Sequence, residues 1–273
     1  MPKPLPETET LVLVRRGPQL DVTLNRPERR NAMSALMNRE LREVFDAIAE
    51  DADVRIVVLR GAGGWFCAGG DMKERDKSLE EPSDPFEAAR KRNRLGGQLF
   101  AKINNAPQAI IAVVEGAAVG GGFGMACTAD ITIAHREAVF GMPETSLGVP
   151  PAQIAPYVVR RLGLSQARRL AVTGARVKGE EVLALGLAHF VCDHAEALDA
   201  RVEECVRQIT RGGPGAIAAT KAVMNAALCL EEEEMIAFAA DRFATCVASE
   251  EGREGTRAFI EKRKPAWAAD AGS

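Results

Sequence analysis

Short apolar runs alternate with amphipathic segments along most of the chain. The runs VRIVVL at 54–59 and AIIAVV at 109–114 are continuously apolar and rich in β-branched residues, which predicts buried strands. Four shorter strands are predicted at 11–15, 20–24, 131–134 and 138–141. The long gaps between these strands leave room for helices, so the pattern indicates an α/β fold.

Helical spacing of apolar residues fills several of those gaps. Ser34 is a candidate N-cap for a helix over 35–50, in which apolar residues recur every three or four positions. Further helices are predicted at 88–104, 154–162, 165–173, 179–185 and 195–211. The charged segment 75–90 contains Pro82 and Pro85, which favours a mobile surface loop or a loosely held helix.

The C-terminal part of the chain is predicted to be entirely helical. The segment Gly212-Gly213-Pro214-Gly215 marks a candidate boundary, and helices are predicted after it at 216–229, 231–249 and 252–264. We therefore predict an α/β core over 1–211 and a helical segment over 212–273.

The overall composition excludes several classes of protein. The chain has 35 Lys and Arg against 38 Asp and Glu, and its net charge of −3 argues against a dedicated nucleic-acid binder. The six cysteines are scattered without a C-x-x-C pair, so a zinc site or a disulfide framework is not expected. No apolar stretch reaches the length of a membrane span, and the N-terminus lacks an apolar signal core. These features predict a cytoplasmic protein that does not associate with membranes.

Two glycine-rich loops each follow a predicted strand, at 68–71 and at 120–122. Glycine has no β-carbon, so the N–H groups of such loops can approach a ligand closely. Two loops of this kind that converge would form an oxyanion hole, whereas glycines that merely permit turns would form no site. A phosphate-binding loop is not expected, because neither G-x-x-x-x-G-K-[ST] nor G-x-G-x-x-G spacing occurs here.

Three segments resemble the enoyl-CoA hydratase/isomerase (crotonase) superfamily: VRIVVLRGAGGWFCAGGDMKE, IIAVVEGAAVGGGFGMACTADITIAHREAVFGMPETSLGVPP and AFIEKRKPAW. The resemblance runs from Leu24 to Lys264. It implies a crotonase-like spiral of ββα units, followed by a C-terminal all-helical trimerisation segment. It also implies an acyl-CoA thioester substrate and a homotrimer or a dimer of trimers. CoA is part of the substrate, so neither a separate cofactor nor a metal is expected.

The resemblance also implies the catalytic residues. Gly70 and Gly121 match the family's oxyanion donors, and Glu144 matches a glutamate that moves the proton of water. Typical hydratases of the family carry a second glutamate two residues after the triple glycine, where this chain has Gly124. We therefore expect Gly124 to leave open space beside the β-carbon of the acyl group.

A further set of residues matches positions that contact CoA in the family. Phe259 and Lys262 match positions that close the CoA site, often from a neighbouring subunit. The other matching residues are Arg30, Ala32, Ala68, Asp71 and Met72. Without the motifs, the charged members of this set would be interpreted as solvated surface residues.

Other polar residues are weaker candidates for the chemistry. Glu115 adjoins the second loop and Gln153 follows Pro150-Pro151, but structural roles are favoured for both. A surface role is also favoured for His135, His189 and His194. If the substrate has a distal carboxylate, Arg160, Lys73 and Arg75 are candidates to bind it.

The resemblance favours a hydratase that acts on a branched 2-enoyl-CoA. The segment PPAQIAPYVVRRLG resembles the hydratases of 3-isohexenylglutaconyl-CoA, from acyclic terpene degradation, and of 3-methylglutaconyl-CoA, from leucine degradation. A Δ3,Δ2-enoyl-CoA isomerase remains an alternative, because it needs a single carboxylate. A thioester hydrolase, a decarboxylase and a non-catalytic acyl-CoA- or RNA-binding protein remain further alternatives.

Overall fold

The computed structural model describes residues 4–74 and 84–268, and two β-sheets organise this part of the chain. The larger sheet has the strand order β1-β2-β3-β4-β6-β9, in which β1 and β2 are antiparallel and all other neighbours are parallel. The smaller sheet has the order β5-β7-β8. The strands are β1 Leu11–Arg16, β2 Gln19–Leu24, β3 Ile56–Gly61, β4 Ala109–Val114, β5 Ala117–Val119, β6 Ile131–His135, β7 Val139–Gly141, β8 Arg176–Val177 and β9 Phe190–Cys192.

Helices cover both faces of the larger sheet and form the C-terminal segment. They are α1 Ala35–Ile48, α2 Pro85–Asn105, α3 Gly121–Thr128, α4 Ala155–Thr173, α5 Glu180–Ala184, α6 Ala195–Ile209, α7 Pro214–Ala226, α8 Glu232–Ala248 and α9 Glu250–Ile260. Among the described residues, no helix combines the length and the apolar character needed to cross a bilayer.

The core lies on both sides of the larger sheet, which explains why β3 and β4 are continuously apolar. Alternate residues of β4 point to opposite faces: Ile110 and Ala112 join one buried cluster, and Ile111 and Val113 join the other. Helix α6 covers the second face with residues that include Leu198 and Val202. A strand buried on both faces needs no polar alternation.

The predicted elements agree with the structure in most places. The Ser34 side chain accepts a hydrogen bond from the Met37 N–H at 3.0 Å, which confirms the N-cap of α1. Residues 155–173 consist of two helical parts that meet at a kink, because Gly163 (φ +72°) is not helical, which confirms the prediction of two helices at 154–162 and 165–173. Within the charged segment 75–90, residues 75–83 lie outside the described residues. Pro85 begins α2 directly, with Asp84 as its N-cap.

Two partly buried cations connect the C-terminal helices to the core. The Arg55 guanidinium donates hydrogen bonds to the carbonyls of Thr210, Gly212 and Trp267. The Lys221 ammonium of α7 forms an ion pair with Asp130 at 2.7 Å, just before β6. Both contacts fix the C-terminal helices against the sheet that carries the site described below.

Candidate active site

The first glycine-rich loop runs alongside strand β5, which brings the two glycine-rich loops together. The Cys67 N–H donates to the Ala117 carbonyl at 2.9 Å, and the Val119 N–H donates to the Cys67 carbonyl at 3.0 Å. This short parallel pairing aligns Gly69 with Gly120: a β-carbon at Gly120 would lie 3.8 Å from the Gly69 Cα. The structure therefore shows the loop convergence that the sequence predicts.

Each loop presents one N–H group without a backbone acceptor. On either side of Gly70, the Met33 N–H donates to the Gly69 carbonyl and the Asp71 N–H donates to the Met33 carbonyl. The Gly70 N–H takes no part in this pairing. Gly121 is the first residue of α3, where an N–H has no acceptor within the helix. Within residues 4–74 and 84–268, neither N–H has a hydrogen-bond partner, so both can donate to an anionic oxygen.

Strand β7 places Glu144 beside these loops. The Gly120 N–H donates to the Gly141 carbonyl at 2.9 Å, and the chain then enters a short 3₁₀ segment, Pro143–Leu147. A β-carbon at Gly120 would lie 2.9 Å from the Glu144 Oε1, so a side chain there would force the Glu144 carboxylate to move. Gly120 also has φ +52°, a conformation that side-chain-bearing residues rarely adopt. Both observations explain why this position is glycine.

The Glu144 carboxyl group is half-buried and incompletely hydrogen-bonded. Its Oε2 atom is buried and has no hydrogen-bond partner among the described residues. Burial raises the pKa of Glu144, and a hydrogen bond to its own backbone offsets this only partly. A carboxylate with a raised pKa and an unsatisfied oxygen is suited to accept a proton from a bound molecule.

The structure corrects the expectation that Gly124 leaves open space. A β-carbon at Gly124 would lie 2.6 Å from the Ile154 Cβ and closer still to its Cγ2. Ile154 is only 4% exposed, so its side chain already fills the volume that the glycine vacates. The absence of a side chain at Gly124 thus admits Ile154 instead of creating a cavity.

Apolar side chains also surround Gly121. A β-carbon there would lie 2.9 Å from the Met33 Sδ and 3.8 Å from the Phe100 Cζ. The Phe100 ring in turn lies 6.2 Å from the Tyr157 ring. The surroundings of the Gly121 donor are therefore mainly hydrocarbon, and the sequence did not assign Met33, Phe100 or Tyr157 a role beside this donor.

Four of the predicted CoA-contact residues lie near the first loop. The Ala68 N–H donates to the Arg30 carbonyl at 3.0 Å, and the Arg30 guanidinium lies 4.8 Å above the Trp65 ring. Arg30 is exposed, so its charge remains available to a phosphate. Arg26 contacts both Ala32 and Asp71.

Arg26 and Asn31 organise this region, and sequence reasoning missed both. Arg26 donates to the Ala32 carbonyl at 2.6 Å and forms an ion pair with Asp71 at 2.9 Å. The fully buried Asn31 accepts from the Arg26 N–H and donates to the Trp65 carbonyl. A signal was present, since Asn tolerates the left-handed φ of +54° that this tight turn requires.

The carboxylate of Asp71 has a structural partner. Burial by itself would raise its pKa, but hydrogen bonds from Arg26 and from the N–H groups of Glu74 and Lys73 outweigh burial and lower it. Asp71 therefore stays ionised and fixes the end of the first loop next to Gly70.

Met72 is a fifth predicted CoA contact next to the first loop, since it follows Asp71 directly and is exposed. The two remaining predicted contacts, Phe259 and Lys262, lie in the C-terminal segment. Phe259, at the end of α9, is 84% exposed, and Lys262 follows α9 with φ +54°. Helix α9 follows directly on α8 and packs against it, and no hydrogen bond or ion pair among the described residues links Phe259 or Lys262 to the glycine loops.

The three histidines have structural partners away from the glycine loops. His189 accepts from the Thr132 N–H, and His194 caps α6 by accepting from the Ala197 N–H. His135 accepts from the Glu137 N–H at 3.1 Å. The surface role favoured for these residues fits these contacts.

The other polar candidates are dispersed. The Gln153 side chain donates to Asn93 of α2, while the Glu115 carbonyl accepts from the Phe66 N–H. Of the candidates for a distal carboxylate, Arg160 is exposed with its guanidinium 5.9 Å from the Tyr157 ring, Lys73 is exposed, and Arg75 lies outside the described residues.

A cysteine nucleophile is not available next to the loops. Cys67 and Cys127 are the cysteines nearest in sequence to them, and both are buried. Burial raises the pKa of each thiol to about 12, so both are protonated at neutral pH. Glu144 is therefore the group beside the loops with proton-transfer chemistry.

Comparison with known proteins agrees with this arrangement. Residues 19–270 match the family model described as enoyl-CoA hydratase/isomerase. The short-chain-enoyl-CoA hydratase of Clostridium acetobutylicum is 32% identical over 261 residues, which cover 94% of this chain and 97% of that protein. The structure of Pseudomonas aeruginosa AtuE is similar with a TM-score of 0.92 and 52% identity, covering 95% of this chain and 100% of that one. An enoyl-CoA hydratase/isomerase from Marinobacter aquaeolei is similar with a TM-score of 0.91 and 44% identity, covering 95% and 99%.

Proposed function

The chain is an enzyme of the enoyl-CoA hydratase/isomerase family with the crotonase fold, and we propose that it adds water across the 2,3-double bond of a branched 2-enoyl-CoA. The observation that carries this proposal is the Glu144 carboxyl group, which has an unsatisfied buried oxygen beside two free N–H donors. This arrangement provides a base and an oxyanion site on neighbouring loops.

The proposed mechanism uses the two glycines and the one carboxylate. The thioester oxygen accepts hydrogen bonds from the Gly70 and Gly121 N–H groups. Glu144 removes a proton from water, and the water oxygen forms a bond to C3 while the π electrons shift toward the thioester. The enolate-like oxygen gains negative charge, and one such donor is typically worth about 3 kcal/mol in the transition state. Glu144 then returns the proton to C2, which gives a 3-hydroxyacyl-CoA.

The proposed substrate carries a hydrocarbon substituent on C3, so that the product is a tertiary alcohol. The low polarity around helix α3 supports this, since the buried Phe100 lies against Gly121, the buried Ile154 lies against Gly124, and position 124 carries no carboxylate. An ionised carboxylate against a hydrocarbon branch would be costly. Of the substrates that the sequence resemblance suggests, 3-isohexenylglutaconyl-CoA is the one we propose, with 3-methylglutaconyl-CoA as the smaller alternative.

The CoA part of the substrate is proposed to lie along the first loop. Arg30, Ala32, Ala68, Asp71 and Met72 would line it, while Phe259 and Lys262 would close it from a second copy of the chain. This assignment fits the position of Arg30, which is exposed and held above Trp65. The proposal needs no separate cofactor and no metal.

The Glu144→Gln variant tests the function. We expect its kcat to fall by about 10²–10⁴-fold, because the amide cannot accept the proton of water. Binding of a saturated acyl-CoA, measured by calorimetry, should change by less than about twofold, a modest limit for an isosteric replacement. The matched control is Glu115→Gln, a half-buried glutamate next to the second loop, which should retain activity. Full activity in Glu144→Gln would refute the assignment.

A Δ3,Δ2-enoyl-CoA isomerase is the second candidate, and it is favoured because Glu144 has an unsatisfied oxygen beside the loops while position 124 carries no second carboxylate. Such an enzyme moves a proton between C4 and C2 and needs no water. Mass spectrometry of the product formed in H₂¹⁸O separates the two reactions. Incorporation of one ¹⁸O atom supports the hydratase, and a shifted double bond without ¹⁸O supports the isomerase. Release of free CoA thiol or of CO₂ would instead indicate a thioester hydrolase or a decarboxylase.

A further inference from the structure

Position 124 is occupied by glycine although the local backbone does not require it. Gly124 lies inside helix α3 and has an ordinary helical conformation, since it is not among the glycines with positive φ. Apart from proline, glycine is the residue least suited to a helix interior. A reason other than backbone conformation must therefore account for it.

The reason is the close approach of Ile154. The three atoms nearest to a β-carbon at Gly124 would all belong to Ile154. Ile154 cannot easily withdraw, because its carbonyl accepts the N–H groups of Tyr157 and Val158 in the first turn of α4 and its side chain is buried. Gly124 and Ile154 thus form a complementary pair: the first lacks a side chain and the second occupies its volume.

The pair lies one helical turn from the proposed donor. Residues three or four apart share one face of a helix, so position 124 lies on the same face as Gly121 and Gly120. The Gly120 position contacts Glu144, and the Gly121 position contacts Phe100. Ile154 therefore places a buried apolar side chain one helical turn from the Gly121 donor, on the helix face whose other positions are contacted by Phe100 and Glu144.

We propose that Ile154 determines the acyl specificity of this site by forming, with Gly124, an apolar wall against which a hydrocarbon substituent on C3 of the acyl group packs. The proposal rests on the proposed function and specifies its substrate class. With this wall in place, the site works with one carboxylate and discriminates against acyl groups that leave the wall uncovered.

A double-mutant cycle tests the pair itself. Gly124→Glu should lower the melting temperature, because the new side chain overlaps Ile154. Adding Ile154→Ala should restore part of that loss, since it removes the Cγ2 atom that overlaps most and leaves only the Cβ in close approach. The matched control is Val158→Ala in the first turn of α4, which is also buried and should not restore the Gly124→Glu variant. Equal rescue by both alanine variants would overturn the pairing.

Substrate preference tests the wall. We expect the kcat/KM ratio of 3-methylcrotonyl-CoA to crotonyl-CoA hydration to fall about tenfold in Ile154→Ala, the usual effect of losing a methyl-sized apolar contact. The Gly124→Glu/Ile154→Ala variant should fall further, because a carboxylate then faces the branch. Val158→Ala should leave the ratio unchanged. An unchanged ratio in Ile154→Ala would overturn the specificity role.

A binding measurement separates this inference from the proposed reaction. Isovaleryl-CoA and butyryl-CoA are saturated and cannot be hydrated. The ratio of their dissociation constants therefore measures the contact between Ile154 and the C3 substituent in the absence of turnover. Wild type should bind the branched ligand more tightly, and Ile154→Ala should reduce that preference. If wild type hydrates no enoyl-CoA but the preference still depends on Ile154, the proposed function fails and the inference stands. If wild type is active and shows no preference, the inference fails alone.

Discussion

The Glu144 side chain shows how a single residue can be unfavourable for stability and favourable for catalysis. Its Oε2 is buried without a partner among the described residues, and burial raises the pKa of the carboxyl group. An ionised carboxylate in that position is more basic than one in water, so it accepts a proton more readily. The same feature makes the folded state with an ionised Glu144 less stable.

The pH dependence of the reaction follows from this residue. Glu144 must be ionised to act as a base, so kcat/KM should rise with pH through its raised pKa in the free enzyme. We expect the midpoint of this rise to lie above 4.5, the ordinary value for a glutamate. Initial rates between about pH 4 and pH 8 measure it, and Glu115→Gln should show the same rise. A midpoint at or below 4.5 would contradict the assigned environment.

The stability of the protein should also depend on Glu144. The folded state holds the Glu144 proton more tightly than the unfolded state does, because the folded pKa is raised. The unfolded chain therefore loses this proton at lower pH, and stability falls as pH rises from 4.5 through the raised pKa. Glu144→Gln removes this loss, so its melting temperature should exceed that of wild type by about 2 °C at pH 7, after allowance for solvent screening.

Thermal unfolding at two pH values checks this sign. The advantage of Glu144→Gln should be present at pH 7 and should disappear near pH 4, where the wild-type carboxyl group is protonated. A variant that is less stable than wild type at pH 7 would show that Glu144 contributes a stabilising contact instead.

At the level of elements, the junction of β5 and α3 depends on Gly120. This residue has φ +52° and contacts Glu144, whereas Gly17, in the turn between β1 and β2, has φ +56° and no atom within 4 Å of its β-carbon position. Gly17→Ala should therefore cost only the conformational strain, about 1 kcal/mol in the free energy of unfolding. Gly120→Ala should cost more and should lower kcat, because the new methyl group displaces the Glu144 carboxylate.

Comparing the two alanine variants separates the effect of the contact with Glu144 from the effect of backbone strain. Denaturant unfolding gives the two stability losses, and steady-state rates show whether activity falls in Gly120→Ala alone. If both variants lost the same stability and kept the same kcat, the close approach of Glu144 to Gly120 would have no functional effect.

Elements with local signals could be predicted from the sequence, and elements formed by distant contacts could not. The run AIIAVV predicts β4 at its observed bounds, and Ser34 predicts the start of α1. Strands β5 and β8 have only three and two residues and exist because they pair with β7, so no local pattern predicts them. The same holds for the site: the resemblance identifies Glu144 as a catalytic candidate, but the packing of Ile154 against Gly124 joins residues 30 positions apart and appears only in the fold.

Across the whole molecule, the core and the C-terminal helices differ in how they bury apolar residues. None of the residues of α7 and α8 is fully buried, although both helices are rich in apolar residues. Their large exposed side chains include Met224, Ile236, Phe243 and Val247. Several large exposed apolar side chains on two neighbouring helices are typical of an interface between protein chains. A second copy of this chain is the partner that we propose, as the family resemblance implies.

Charge placed on this surface should weaken that association. Val247→Glu on α8 would put a carboxylate into the proposed interface, and burying it there would cost several kcal/mol. In sedimentation velocity, Val247→Glu should then be a smaller species than wild type at the same concentration. The melting temperature of the variant should fall when the protein is diluted. The matched control is Val172→Glu on α4. Val172 is an exposed valine outside the C-terminal helices, so this change should leave the oligomeric state unchanged.

If Phe259 and Lys262 close the CoA site of a neighbouring copy, Val247→Glu should also raise KM for the acyl-CoA, while Val172→Glu should not. A variant that dissociates but keeps the wild-type KM would show that each chain binds CoA without its neighbour.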